Sequence, residues 1–227
     1  MKNIWKISSI ILFLLVSVLF LEGGYPSRIY NRLFPDNQIS STYYDRQKSL
    51  FEKYDHKNKI MFVGDSITDE CEWNELLGRN DIINRGIIGD TTSGVLQRLD
   101  LYLSQKPKSI FIMIGINDIS KNRRVDAIKK NYSKIIDKIL SNNVSLFIQS
   151  TLNTRNIERN KKVEILNNYL VEQCKLLSIT YIDINSKLLD NDDLLSEKYS
   201  NDGVHLNGEG YIIWKNILLP YISKTDS

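Results

Sequence analysis

Histidine is scarce in this chain: 227 residues contain two, His56 and His205. That scarcity argues against a histidine-rich metal site and narrows the search for a catalytic base to two positions. Cysteine is as sparse. Cys71 and Cys174 lie far apart and match no metal-binding or redox spacing, and two buried free thiols are favoured over a disulfide. An excess of one charge is missing too. The net charge of +3 is spread thinly, with no basic run to hold a nucleic acid. Internal repeats and low-complexity tracts are absent. What remains, 42% hydrophobic over 227 residues, is enough for one substantial α/β domain with an appendage.

The appendage stands first. Residues 1–6 are short and basic, and 7–21 are almost wholly apolar. The pattern is that of a signal peptide or an uncleaved signal anchor. No small-residue cleavage site follows, because Phe20-Leu-Glu-Gly-Gly24 puts bulky residues where a peptidase needs small ones. Residues 1–24 therefore predict a single membrane anchor, with the lysines inside and the rest of the chain extracytoplasmic; secretion after cleavage is the alternative. Residues 25–58 form a polar connector, in which 41–54 carry helical spacing through Tyr43, Tyr44, Gln47, Leu50, Phe51 and Tyr54. His56 falls among Asp55, Lys57 and Asn58, the setting of a solvated residue rather than a base.

From Lys59 onward short apolar runs alternate with helical patterns. The runs 60–63, 82–84, 109–114, 144–149 and 180–184 predict strands, and 69–77, 93–104, 125–141, 158–177 and 208–222 predict helices. The third run, Ile110-Phe-Ile-Met-Ile114, is continuously apolar, as a strand covered on both faces should be. Such alternation predicts a single doubly wound, flavodoxin-like α/β domain over 59–227, with a parallel sheet of about five strands and helices on both faces.

Four punctuation points fall at strand ends or near the end of this domain: Gly64-Asp65-Ser66, the 84–91 stretch with Gly86 and Gly89, Gly115-Ile-Asn117-Asp118, and Asp202-Gly-Val-His205. The first three follow parallel strands, so their residues converge on one edge of the sheet. Each has a plainer use: Ser66 or Thr68 as a helix cap, the glycines as turn residues, Asn117-Asp118 as a cap, Asp202-Gly203 as a turn. Together they supply what serine catalysis needs. A serine hydroxyl requires a base, and His205 is available. The base requires a carboxylate, and Asp202 stands three residues away. A tetrahedral oxyanion requires donors, which the backbone N–H groups of Ser66 and Gly89 and the amide of Asn117 could provide.

This set resembles the SGNH (GDSL-type) hydrolase family, whose functional serine, glycine, asparagine and histidine stand in four sequence blocks. The resemblance runs from about residue 59 to the carboxyl end. It implies a cofactor-free esterase with Ser66 as nucleophile and oxyanion donor, Gly89 and Asn117 as further donors, and His205 with Asp202 completing the triad. Thr68 stands where the G-x-S-x-G elbow would need its last glycine, so the α/β-hydrolase motif is excluded.

The resemblance implies esters as substrates: O-acetylated carbohydrate, with a surface location tilting towards a glycan, or alternatively lysophospholipid or acyl thioester. A non-catalytic glycan-binding or scaffold protein is the rival from another class. Asp190-Asn-Asp-Asp193 lacks the glycine and terminal glutamate of an EF-hand and is assigned to a solvated loop. Trp73 is open between walling the acyl pocket and packing in the core. Tyr211 and Trp214 are assigned to packing, and Arg85 and Arg155 are candidates for meeting an anionic substrate.

Overall fold

The computed structural model describes residues 42–54, 57 and 59–226. The 1–24 anchor, most of the 25–58 connector and His56 lie outside the described residues. Among the described residues no helix is long and apolar enough to cross a membrane.

The first described element is helix α1 (Thr42–Phe51). Five parallel strands follow: β1 (Ile60–Gly64), β2 (Ile82–Gly86), β3 (Ser109–Met113), β4 (Ser145–Gln149) and β5 (Thr180–Ile182), in the order β2-β1-β3-β4-β5. Between and after them run α2 (Ser66–Asp69), α3 (Trp73–Leu77), α4 (Thr92–Ser104), α5 (Ile116–Ser120), α6 (Val125–Leu140), α7 (Ile157–Leu177) and α8 (Gly208–Ile222). The register stacks Phe62, Phe111 and Phe147 side by side across β1, β3 and β4. Their ring centroids are 5.1 and 4.3 Å apart. Trp73 of α3 stacks on Phe62 at 4.5 Å, and Trp214 of α8 meets Trp73 edge-on at 4.7 Å. This aromatic ladder fills one face of the sheet. Trp73 is accordingly a core residue; its Nε1 donates to Thr68 O at 2.9 Å.

The chain leaves β1 for β2 on one side and returns to β3 on the other. That reversal opens a crevice beyond the carboxyl ends of β1 and β3, where open α/β sheets bind ligands. The 65–66 and 115–117 segments both end there.

The predicted 69–77 helix is two short helices, α2 and α3. Its break has a local cause. Asn84 Nδ2 donates to the carbonyls of Thr68, Asp69 and Cys71, at 2.9, 3.0 and 3.0 Å, carbonyls that a continuous helix would have used itself. Asn84 Oδ1 accepts from Gly86 N–H at 2.8 Å, so one side chain ties the turn after β1 to the end of β2. Strand β5 stops at Ile182, two residues short of the predicted end, and Ile184 N–H is taken by Ser150 Oγ at 3.0 Å.

Arg98 of α4 lies in the buried region below this crevice. It pairs with Asp90 at 2.6 Å, with both side chains buried. It also donates to Arg85 O at 2.8 Å and Gly64 O at 3.1 Å, and bonds to Tyr102 Oη. One guanidinium thus holds the end of β1, the end of β2 and the loop after β2. Arg98→Met would leave a buried carboxylate without its cation. It should lower unfolding free energy by about 3–5 kcal/mol in urea denaturation.

Candidate active site

Ser66 opens α2, but it does not cap it. The cap is Asp65, whose Oδ1 accepts from Ile67 N–H at 3.1 Å, and Ser66 is left free to project from the first turn. Ser66 Oγ lies 3.0 Å from His205 Nε2, and His205 Nδ1 lies 2.7 Å from Asp202 Oδ2. An ionised carboxylate only accepts, so the ring proton sits on Nδ1 and Nε2 turns its lone pair to the serine. Asp202 also shapes its own loop. Its Oδ1 accepts from Val204 N–H at 2.9 Å and His205 N–H at 2.8 Å, which closes the turn that brings the imidazole round. Burial pulls the Asp202 carboxyl upward, yet these bonds, led by that from the His205 ring, outweigh it and hold the group well below the usual carboxylate range.

Ser66 is 6% exposed, whereas the Asp202 and His205 side chains are 55% and 35% exposed. The site is therefore open on the histidine side. A cleft of about 320 Å³ there is lined by Glu70, Asn201, Asp202, His205, Leu206 and Asn207. Five of these six are polar.

Gly89 lies in the loop after β2. Asp90 N–H donates to Ile87 O at 3.1 Å, closing a four-residue turn with Gly89 third at φ +77°. That conformation belongs to a type II turn and suits glycine. Asn117 stands inside α5, whose N-cap is Gly115, so it is no cap. Its Nδ2 donates to Asp90 O at 3.0 Å. A side-chain amide carries two hydrogens, so this bond aims the group and leaves the second hydrogen for a ligand. The N–H groups of Ser66 and Gly89 have no acceptor among the described residues. The arrangement can offer three donors to one developing oxyanion beside a serine, a base and a carboxylate.

Asp118 is buried and structural. It accepts from Thr92 N–H at 2.8 Å and Thr92 Oγ1 at 2.9 Å, and pairs with Arg123 at 3.0 Å. The two arginines that were candidates for meeting an anionic substrate are both engaged within the protein. Arg85 is 3% exposed, with its guanidinium 4.6 Å over the Phe51 ring of α1, because its strand position points it under that helix. Arg155 is held by Glu197 at 3.0 Å and Asp190 at 3.7 Å, while its backbone N–H donates to Gly203 O at 2.9 Å. Asp190 Oδ1 in turn accepts from the N–H groups of Asp192 and Leu194, the work of a loop former. Tyr211 packs as expected and adds a bond to Ile67 O at 2.9 Å, bracing α2 from α8. Cys71 and Cys174 are both buried and unpaired.

Sequence reasoning missed Asp65, Asn84, Asp90 and Arg98 as supports of the site. Burial pushes the Asp65 carboxyl from 3.8 up to about 7, against the pull of the Ile67 N–H. Its Oδ2 has no hydrogen-bond partner. The folded chain thus keeps a proton that the unfolded chain releases. This group's contribution to stability is complete below the unfolded value of 3.8 and is lost as pH climbs through about 7. Asp65→Asn cannot titrate, so its unfolding free energy, measured by urea titration, should fall less than wild type between about pH 4 and 8. Parallel pH profiles would remove Asp65 as the source of the slope.

Asn117 and Asp118 make an adjacent pair with opposite expectations. Asn117→Ala should lower kcat about a hundredfold with little change in KM or melting temperature, as for one lost oxyanion donor. Asp118→Ala should act mainly on folding, since it strips Arg123 and Thr92 of their partner. Steady-state kinetics and thermal melts of the two variants read both effects.

Comparison with known proteins agrees with this geometry. Residues 62–213 match the GDSL-like Lipase/Acylhydrolase family. An N-acylneuraminate cytidylyltransferase of Streptococcus agalactiae is 28% identical over 123 residues, which are 53% of this chain and 30% of that protein. The chain therefore spans under a third of that relative's length. Platelet-activating factor acetylhydrolase IB subunit alpha2 of Rattus norvegicus is 27% identical over 168 residues, covering 69% of this chain and 72% of the relative. The crystal structure of a GDSL-like lipase from Bacteroides thetaiotaomicron has the same fold, with a TM-score of 0.73, 22% identity, and coverage of 80% of this chain and 97% of that one. With most of its folded part matched, the chain belongs to the GDSL-like lipase/acylhydrolase family of carboxylic ester hydrolases.

Proposed function

We propose that the protein hydrolyses short acyl esters, acetyl esters first, through a Ser66–His205–Asp202 triad and an acyl-enzyme. The observation that carries this reading is the continuous hydrogen-bonded chain from Ser66 Oγ through the imidazole to Asp202, at 3.0 and 2.7 Å. In the first half-reaction the Ser66 proton passes to His205 Nε2 as Oγ bonds to the ester carbonyl carbon. The carbonyl oxygen becomes an oxyanion facing the N–H groups of Ser66 and Gly89 and the Asn117 amide. The intermediate collapses, His205 Nε2 returns its proton to the leaving alkoxide, and the alcohol departs. In the second half, water gives a proton to Nε2 and attacks the acyl carbon, and Ser66 leaves with that proton restored. Asp202 keeps its charge throughout and holds the Nδ1 proton.

The polar cleft beside His205 supports a hydroxylated alcohol part, as in an O-acetylated glycan. The apolar 7–21 stretch supports an extracytoplasmic, membrane-anchored setting for such a substrate. Similarity to a platelet-activating factor acetylhydrolase subunit favours a second reading, a lipid acyl ester with the same short acyl group.

A panel of esters from acetyl to palmitoyl, on carbohydrate and glycerophospholipid alcohols, separates these readings by kcat/KM. The carbohydrate acetyl esters should lead, and a preference for palmitoyl would overturn the short-acyl assignment. A fluorophosphonate should add its mass to wild type and leave Ser66→Ala unlabelled. His205→Ala should lose on the order of 10⁴-fold or more in kcat. Equal labelling of wild type and Ser66→Ala would remove Ser66 as nucleophile.

A further inference from the structure

The 89–92 segment carries one proposed oxyanion donor, the Gly89 N–H, and leads into α4. It is tied to α5 and the residue that ends it at three points. Asp118 takes Thr92 through its N–H at 2.8 Å and its Oγ1 at 2.9 Å. Asn117 Nδ2 donates to Asp90 O at 3.0 Å, and Lys121 Nζ donates to Gly89 O, also at 3.0 Å. Asn117 is a candidate donor and Asp118 a buried anchor. Lys121, the third, has no place in the triad or the donor set.

Gly89 depends on such a hold more than its neighbours do. Glycine restricts its own φ and ψ less than any other residue. A Cβ at this position would meet nothing within 4 Å, so packing does not fix it. Hydrogen bonds do so instead. On the amino side Gly64 O accepts Ile87 N–H at 3.2 Å, and the turn bond from Asp90 N–H to Ile87 O measures 3.1 Å. On the carboxyl side Lys121 holds the carbonyl of Gly89 itself.

The holder is rigid in its turn. Lys121 is the C-cap of α5, and its backbone N–H donates to Asn117 O at 3.0 Å. Two residues on, Arg123 N–H donates to Asp118 O at 3.0 Å, while the Arg123 guanidinium pairs with the Asp118 carboxylate. One helical turn thus joins Asn117 to Lys121, and their side chains grip successive carbonyls, Asp90 O and Gly89 O. The same turn carries the Asn117 amide, so the grip sets the Gly89 N–H in place relative to that second donor.

We propose that Lys121 is a positioning residue of the oxyanion site, clamping the Gly89 peptide so that the Gly89 and Asn117 donors meet one oxygen. This role rests on the oxyanion roles given to Gly89 and Asn117 above. Lys121 does not touch the reacting atoms; it acts through the Gly89 carbonyl.

The test is steady-state hydrolysis of phenyl acetate by the full chain, with thermal melts of each variant. Lys121→Met keeps the stem and removes the donor. Its kcat should fall about tenfold with KM within about twofold, since a misaimed donor is felt in the transition state. Lys121 is exposed, so the melting temperature should stay within about 2 °C. Lys121→Arg restores a charged donor and should keep kcat within about threefold of wild type. Lys162, whose ammonium reaches Asn122 Oδ1 at 3.5 Å, supplies the control: Lys162→Met should keep wild-type kcat. The loss in Lys121→Met should also persist in about 1 M salt, where charges are screened beyond about 3 Å and a direct bond is not. A folded Lys121→Met with wild-type kcat would overturn the clamp. So would a Lys121→Arg as impaired as Lys121→Met, a loss that salt abolishes, or one that Lys162→Met shares. A melting temperature lowered by more than about 5 °C in Lys121→Met would make the residue structural and overturn it too. Ser66→Ala in the same assay tells the two levels apart. An active Ser66→Ala overturns the catalytic reading itself, whereas an inactive one beside an unimpaired Lys121→Met overturns the clamp only.

Discussion

The buried pairing of Arg98 with Asp90 is the constraint on which the site's geometry depends. A guanidinium has five donors in a fixed plane. Here they serve a carboxylate, the carbonyls at the ends of β1 and β2, and Tyr102 Oη. Gly64 precedes the Asp65-Ser66 pair, and Asp90 follows Gly89. The distance between Ser66 and Gly89 is thus set from below by one rigid side chain. Burying the pair is costly in desolvation, and a hydrophobic pair of similar volume would serve stability as well or better. Such a pair could not hold three backbone groups in register, so its value here is geometric.

Asp202 joins two tasks that are often divided. One oxygen closes the turn and the other orients the imidazole. The carboxylate is exposed, so its charge is partly screened by solvent and its direct energetic worth is modest. Fixing the tautomer needs direction more than strength, and the turn supplies direction from a separation of only three residues. An exposed carboxylate suffices to orient the imidazole for that reason. It also leaves the cleft beside His205 polar and open.

How much of this was legible in the sequence depended on the length of the pattern. The strands were read from apolar runs such as Ile110–Ile114, and the long helices α4, α6, α7 and α8 from their periodicity; all appear within a few residues of the expected bounds. The one-turn helices α2 and α5 left no such trace, because four or five residues cannot display a period of 3.6. The residues of the four blocks were legible as a group, and the structure places Ser66, His205 and Asp202 in one chain with Gly89 and Asn117 nearby. Their supports were not legible, being specified by long-range contacts. Arg98 alone left a signal. Val95, Arg98, Leu99 and Tyr102 follow the i, i+3, i+4, i+7 spacing of a buried stripe. A charge on such a stripe must find a partner inside. Arg85 misled for the complementary reason: position at a strand end does not say which way a side chain points.

Each of the three candidate donors also has an aspartate beside it. Asp65 precedes Ser66, Asp90 follows Gly89, and Asp118 follows Asn117. All three are buried, and each accepts from a backbone N–H that starts a helix or the segment leading into one: Ile67, Thr91 and Thr92. The acids therefore anchor the loops from which the donors project. Their charges repel, since Asp90 and Asp118 both push the Asp65 carboxyl upward. Arg98 answers Asp90 and Arg123 answers Asp118, while Asp65 forms no ion pair among the described residues. The unanswered acid is the one next to Ser66. In the proposed reaction a fixed negative charge there would oppose an oxyanion formed at Ser66, and burial relieves that conflict by favouring the neutral form. The carboxyl keeps its capping bond in either state, so the turn holds Ser66 in place without a permanent charge beside the reacting carbon.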